Sequence, residues 1–174
     1  MPRRIQFFPE CNADTGLVGF LLNDDETLYR HSRGSEVAGD MVVACYEFDI
    51  VVGIMDDDKT SIARYFDDFQ RISEENNIRL LKKPEKEIYL ILIVGRKVGI
   101  ETFLRWNAEQ VGIDLADYGF VIDDTVKAKK RFSKFKKEAI KINPNYRRLL
   151  TDLYARSAPG LITLKTILYD LFPA

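Results

Sequence analysis

The sequence has few of the residues that build disulfide frameworks or zinc sites. Its 174 residues include two cysteines and one histidine, and Cys11 and Cys45 do not have the spacing of a metal-binding pair. This excludes a disulfide-rich secreted scaffold and the common zinc-binding modules. No stretch approaches the ~18 apolar residues that a membrane span needs, and the amino terminus shows no signal-peptide pattern. We therefore expect a cytoplasmic protein with free thiols and no membrane association.

The motifs of several large enzyme classes are also absent. The sequence contains no lysine-bearing phosphate loop, no dinucleotide-binding glycine pattern and no Ser-His-Asp set. The net charge of −1 indicates no particular partner, because the charges are segregated along the chain. The contents of hydrophobic (46%) and charged (30%) residues are those of a folded protein. The length suits one domain with a full core and a small appendage.

Apolar periodicity predicts alternating strands and helices over roughly the first 110 residues. The predicted strands are Arg4–Phe8, Thr27–His31, Ile50–Met55 and Ile88–Val94, and the predicted helices are Asp14–Leu22, Glu36–Phe48, Ser61–Asn76 and Ile100–Gly112. The helical pattern is clearest in Ser61–Asn76, where the apolar residues at helical spacing are Ile62, Phe66, Phe69 and Ile72. This order predicts an α/β fold with a mainly parallel sheet and helices on both faces.

The character of the sequence changes after Tyr118. Residues 126–148 contain ten Lys or Arg and one Glu, and two apolar helical segments follow, near Tyr146–Ala155 and Leu161–Phe172. We therefore predict an α/β domain over residues 1–118 and a basic helical C-terminal appendage over 119–174, packed on the same core.

The basic segment is a candidate nucleic-acid interface. Lysines placed around the apolar pair Phe132 and Phe135 suit a DNA backbone, which attracts positive charge without being read for sequence. The same pattern also fits a solvated helix face or a surface that docks an acidic protein. The candidate contact residues are Lys129, Lys130, Lys134 and Lys137.

The most informative motif is a run of three acids after an apolar strand. Asp56, Asp57 and Asp58 directly follow Ile50–Met55, and ligands of open α/β sheets bind at the carboxyl ends of such strands. Three neighbouring carboxylates repel one another unless a cation neutralises them, so the motif predicts a divalent-metal site. The alternative is that Asp58 caps the next helix while the other two acids are solvated.

Glu10 ends the first predicted strand and extends this hypothesis. If the first and third strands are neighbours, Glu10 lies near Asp56 and Asp58 at one edge of the sheet. One carboxylate facing two others across a metal is suited to phosphoryl transfer, because the metal polarises a phosphate oxygen while the nearby carboxylate serves as general acid or base.

At these residues the chain resembles the Toprim family. Toprim domains have a glutamate after the first strand and Asp-x-Asp after the third, matched here by Glu10 and by Asp56 and Asp58. The likeness is greatest to small Toprim-like relatives of the overcoming-lysogenisation-defect nucleases, and it continues in Ile-Glu-x-x-Leu at residues 100–104. It covers roughly residues 4–112. Cys11 stands where the family usually has glycine.

The resemblance implies a nuclease that uses Mg²⁺ or Mn²⁺, in phage defence or DNA processing. Glu10 would then be the catalytic acid or base and a metal ligand together with Asp56 and Asp58, and the accessory acids would be Asp14, Asp57 and Glu101. Two simpler roles remain open, since Asp14 also suits a helix cap and Glu101 a first-turn acid. The family also implies a non-catalytic alternative, a Toprim-fold module that partners an ATPase.

A second resemblance competes with the first. Residues 56–60, Asp-Asp-Asp-Lys-Thr, also fit the Asp-x-Asp-x-Thr motif of haloacid-dehalogenase-type phosphatases. There Asp56 would be the phosphoryl-accepting nucleophile and Asp58 the general acid. That motif normally lies on the first strand, whereas here a β-α-β pattern precedes it.

Overall fold

The computed structural model describes residues 3–57, 64–94, 99–120 and 143–172. The strands in these ranges are β1 (Ile5–Pro9), β2 (Ile50–Asp56), β3 (Gln70–Glu75), β4 (Ile78–Lys82) and β5 (Ile88–Ile93). The helices are α1 (Asn12–Leu21), α2 (Val37–Ala44), α3 (Ile100–Val111), α4 (Pro144–Ala155) and α5 (Pro159–Asp170). Short 3₁₀ turns occur at Arg64–Phe66 and Leu115–Tyr118.

The five strands form one mixed sheet in the order β1-β2-β5-β4-β3. The pairs β1–β2 and β2–β5 are parallel, whereas β5–β4 and β4–β3 are antiparallel. The predicted α/β class is therefore confirmed, but among the five strands described here only β1, β2 and β5 pair in parallel. The other half of the sheet is a β3–β4 hairpin that the sequence analysis did not predict.

The sheet is covered on both faces, as predicted. Every residue of β2 and β5 is buried, which explains why these strands read as continuous apolar runs. Alternate side chains enter two cores. One core lies under α2, and the other is shared by α1, α3, α4 and α5.

The predicted helix Ser61–Asn76 is wrong where the structure describes it. Arg64–Phe66 is a single 3₁₀ turn, and the chain then becomes the exposed edge strand β3. Phe66 and Phe69 pack edge to face, with ring centroids 5.2 Å apart. One turn is therefore enough to bring these two apolar side chains together, and no longer helix is needed. Asn76 and Asn77 have φ of 49° and 62°, the backbone of a tight hairpin turn, which ends β3 and starts β4.

The predicted strand Thr27–His31 is reduced to one parallel bridge between Tyr29 and Phe7. Its backbone nevertheless follows β1. The remaining predicted elements are present with shifted ends: α2, for example, ends at Ala44 instead of Phe48.

The C-terminal helices belong to the main core. Leu149, Leu153 and Leu161 are buried in the cluster that α1 and α3 also enter. Buried Asn107 ties α3 to the start of α5, because its side-chain oxygen accepts a hydrogen bond from the Gly160 N–H at 2.8 Å. Among the described residues, no helix has the length and apolar character required to traverse a bilayer.

Candidate functional site

Glu10 and Asp56 lie side by side at the carboxyl ends of neighbouring parallel strands. The register places Pro9 opposite Ile54, and the Glu10 N–H donates to the Ile54 carbonyl at 2.9 Å. The Asp56 N–H in turn donates to Glu10 Oε2 at 3.1 Å. Both side chains are buried, each with 5% exposure. The structure therefore brings together two of the three acids of the predicted metal site.

Two further acids, Asp14 and Glu101, are buried in the first turns of helices. Asp14 in α1 is fully buried, and Glu101 in α3 is 7% exposed. Cys11, not Asp14, is the N-cap of α1, since Cys11 Sγ accepts the Asp14 N–H at 3.5 Å. Asp and Glu are rarely buried to this extent unless they are paired, so burial separates both acids from ordinary first-turn acids.

Cys11 fits where the resemblance implies glycine. Its backbone is extended, with φ −132° and ψ 170°, a conformation open to any side chain. The thiol packs inward as the cap of α1, and the cysteine therefore needs no backbone strain at this position.

Tyr146, which the sequence analysis did not select, is buried near the acids. It lies in the first turn of α4, is 1% exposed, and donates its hydroxyl to the Ala13 carbonyl at 2.9 Å. Burial raises the pKa of Tyr146 well above its usual value of 10.0, and nearby negative charge raises it further. The groups that exert this second effect are Asp14, Cys11, Glu101 and Asp56. Three of the buried acids are therefore near enough to influence one phenol, although no spacing rule links residue 146 to residue 56.

The backbone of Gly99 closes the site beside Asp56. Gly99 is the N-cap of α3, with φ 55° and ψ −131°, a conformation that side chains disfavour. A Cβ at this position would collide with the Asp56 carboxylate. Asp56 therefore lies against the N-terminus of α3, where the helix dipole favours negative charge.

Asp57 occupies a different environment. Its carboxylate pairs with Arg79, Oδ2 to Nη1 at 3.4 Å. Arg79 also donates two hydrogen bonds to Glu74, at 2.8 and 3.1 Å, which lower the pKa of Glu74 to about 2. Both chain neighbours of Arg79 enter the core under α1, so Arg79 lies on the opposite face of the sheet. Asp57 therefore belongs to an ion-pair cluster on the face of the sheet that α2 covers.

The remaining predicted site residues, Asp58, Lys129, Lys130, Lys134 and Lys137, lie outside the described residues. Within the described ranges, no three Cys, His, Asp or Glu side chains are arranged as a ready-made metal site. Donor chemistry nevertheless suits one metal class. Glu10, Asp14, Asp56 and Glu101 offer only carboxylate oxygens, the ligands that Mg²⁺ and Mn²⁺ prefer. Neighbouring carboxylates in a buried site also repel one another, and a hard cation offsets this repulsion.

Comparison of the chain with protein-family models, with curated proteins and with solved structures found no match.

Proposed function

We propose that this protein is a Toprim-type, metal-dependent phosphodiesterase that cleaves nucleic acid. The proposal is supported by one observation above all. Four acids from separate elements, Glu10, Asp14, Asp56 and Glu101, are buried. Glu10 and Asp56 are hydrogen-bonded at the carboxyl ends of neighbouring parallel strands, and the charges of Asp14, Glu101 and Asp56 all raise the pKa of Tyr146. The carboxyl ends of the strands are where open α/β sheets bind ligands.

Asp56 and Glu10 are the described residues that would hold Mg²⁺ or Mn²⁺, with Asp58 as the further ligand expected from the sequence, and Asp14 and Glu101 would be accessory acids. When bound, the ion would polarise a phosphate oxygen and lower the pKa of water. Glu10 is suited to accept a proton from the attacking water. Its Oε2 accepts the Asp56 N–H, which holds the carboxylate in one orientation.

Nucleic acid is the proposed substrate because of the charge pattern of the chain. The buried acids repel the phosphates of a nucleic acid, so positively charged residues elsewhere in the chain have to bind the substrate. The basic segment of residues 126–148 supplies charge suited to phosphates. This segment is proposed to position the backbone of the substrate, without sequence readout.

A nicking assay tests this function. The parent protein should nick plasmid or single-stranded DNA with Mg²⁺ or Mn²⁺, and Glu10→Gln should abolish nicking. Glutamine keeps an oxygen that can accept the Asp56 N–H, so the variant should remain folded. The matched control is Glu47→Gln on the surface, which should cleave like the parent.

The same samples discriminate the alternatives. A phosphatase that uses Asp56 as nucleophile would hydrolyse a small phosphomonoester, survive Glu10→Gln and lose activity with Asp56→Asn. If neither substrate reacts, the fold serves as a non-catalytic module, and an ATPase becomes the partner to test.

A further inference from the structure

A cavity of about 300 Å³ opens between α1, the segment that follows it and α4. Its lining includes Phe20 of α1, then Asp24, Glu26 and Tyr29 of the following segment, and Arg147 of α4. Small-molecule pockets range upwards from about 300 Å³, so this α1–α4 cavity suits a ligand with few atoms. None of these five residues is a member of the acidic site, and the proposed function assigns them no role.

A guanidinium of the chain itself shows what the walls of the cavity attract. Arg147 Nη1 lies 2.7 Å from Asp24 Oδ2 and 2.9 Å from Asp24 Oδ1. The Cζ atom of Arg147 is 5.6 Å from the centroid of the Phe20 ring. A carboxylate beside an aromatic ring suits a planar guanidinium, which pairs with the first and interacts with the face of the second. Asp24 and Phe20 both line the cavity, so its walls already hold one cation of this class.

The end of α1 fixes the carboxylate and the phenol on two sides of the cavity. The Asp24 N–H donates to the Gly19 carbonyl at 2.7 Å, and Asp24 has φ 58°, a left-handed conformation that aspartate tolerates. A Cβ at Gly19 would lie only 2.7 Å from the Tyr29 hydroxyl oxygen. Glycine at this position therefore lets the Tyr29 hydroxyl reach the wall of α1.

Negative charge predominates in the cavity. Two carboxylates, Asp24 and Glu26, line it against one guanidinium. Burial raises the pKa of Tyr29 above its usual value of 10.0, and the charges of Glu26 and Asp24 raise it further, whereas Arg147 lowers it. Arg147 therefore does not neutralise the cavity, and the remaining field favours a second positive group.

We propose that the α1–α4 cavity binds a small organic cation with a guanidinium group, which lies beside Arg147. Each carboxylate oxygen accepts more than one hydrogen bond, so Asp24 can serve Arg147 and the ligand together. The guanidinium belongs either to a free small molecule or to an arginine side chain of a peptide. This inference is independent of the phosphodiesterase function, because no measurement that tests it involves cleavage.

Calorimetric titration of the full chain tests binding. Agmatine provides a free guanidinium, and the blocked peptide Gly-Arg-Gly provides an arginine side chain. The control ligand is the same peptide with citrulline, which replaces the guanidinium by a neutral group of similar shape. Agmatine should bind with one-to-one stoichiometry, and the citrulline peptide should not bind. Binding of the arginine peptide in addition would assign the site to a side chain of a partner, whereas binding of agmatine alone would assign it to a free ligand.

Substitution of the lining acids tests the location of the ligand. Asp24→Asn should weaken agmatine binding by about 10-fold or more, because a hydrogen bond between charged groups is lost. Asparagine also tolerates the left-handed backbone, so the variant should fold. Glu26→Gln should weaken binding as well. The matched control is Asp25→Asn, since the Asp25 carboxylate accepts the Thr27 N–H at 3.1 Å, and it should bind agmatine nearly as the parent does.

Arg147→Gln tests the sign of the charge effect. This variant removes the competing guanidinium from Asp24 and Phe20, so its affinity for agmatine should rise. Both partners of the ion pair are about half exposed, and such pairs contribute little to stability, so Tm should change little. Arg148→Gln is the matched control, because the Arg148 guanidinium lies over Tyr118 instead, 4.7 Å from its ring centroid.

Three results would overturn the proposal. The first is no saturable binding of agmatine by the parent, and the second is equal binding of the arginine and citrulline peptides. The third is weaker agmatine binding by Arg147→Gln than by the parent, which would make Arg147 a recognition group for anions.

Discussion

The backbone N–H of Asp56 donates a hydrogen bond to Glu10 Oε2 across the ends of two parallel strands, at 3.1 Å. This bond joins positions 46 residues apart in the chain. It uses the backbone of Asp56 and leaves the Asp56 carboxylate to face the α3 N-terminus. A substitution of the Asp56 side chain can therefore change the charge of the site while the contact with Glu10 persists.

The first prediction concerns the metal. Mg²⁺ or Mn²⁺ at about ten times its Kd should stabilise the native state by about 1.4 kcal/mol, which raises Tm by about 3–6 °C for a chain of this size. Asp56→Asn should abolish the rise. Its matched control is Asp57→Asn, one residue along and paired with Arg79 on the other face, which should keep the rise. If Asp57→Asn also lost the metal-dependent rise in Tm, Asp56 and Asp57 would not act on separate faces of the sheet, which would contradict this prediction.

Gly99 tests the close contact between the start of α3 and the Asp56 carboxylate. Gly99→Ala combines backbone strain with a collision against the carboxylate, so we expect a loss of at least about 2 kcal/mol and a weaker metal response. Gly112→Ala is the control, because Gly112 also has positive φ (66°) but open space around its Cβ. It should cost about 1–2 kcal/mol and leave the metal response unchanged. Chemical denaturation with and without Mg²⁺ measures both quantities.

Tyr146 gives a prediction for alkaline pH. Its raised pKa means that the native state keeps the phenol proton at a pH where the unfolded chain loses it. The parent should therefore lose stability as the pH rises above about 10. Tyr146→Phe has no phenol to ionise at this position, so it lacks this dependence on pH. It also loses the hydrogen bond to Ala13, which costs about 1 kcal/mol at neutral pH. The parent should therefore be more stable than Tyr146→Phe at about pH 8, and this difference in the free energy of unfolding should shrink as the pH rises to about 11.

The control for this pH series is Tyr46→Phe, since Tyr46 is 88% exposed. Its stability curve should parallel that of the parent. A constant difference between the parent and Tyr146→Phe at all pH values would show that the phenol is not buried beside the acids.

Much of the fold follows from local sequence. The buried runs in β2 and β5 and the amphipathic pattern of α3 are properties of single segments, and their positions agree with the sequence analysis. The β3–β4 hairpin was missed because Phe66, Phe69 and Ile72 imitate a helical stripe. In the structure the two phenylalanines pack in a turn and Ile72 is 54% exposed on an edge strand. The pair Asn76–Asn77 was the available signal, since asparagine tolerates positive φ.

The site was only partly accessible from sequence. The adjacency of Glu10 and Asp56 follows from their positions after parallel strands, a rule that acts through the sheet. Tyr146 could not be found in this way, because its place beside the acids depends on how α4 packs on α1. Such contacts are set by tertiary packing and leave no periodic pattern.

The last prediction tests the basic segment directly. Phosphate contacts release counterions, so DNA affinity should fall linearly on a plot of log affinity against log salt concentration, with a slope near −0.9 per contact for duplex DNA. Reversing Lys129, Lys130, Lys134 and Lys137 to Glu should weaken binding to all sequences and make the slope less negative by up to about 3.6.

The control is the same four positions changed to Arg, which keeps the charge and should keep the slope. Surface changes usually cost within about 0.5 kcal/mol each, and Tm measured alongside separates folding from binding. Unaltered binding by the Glu variant would assign the segment to solvent or to a protein partner, and the cleaved nucleic acid would have to be held by other residues.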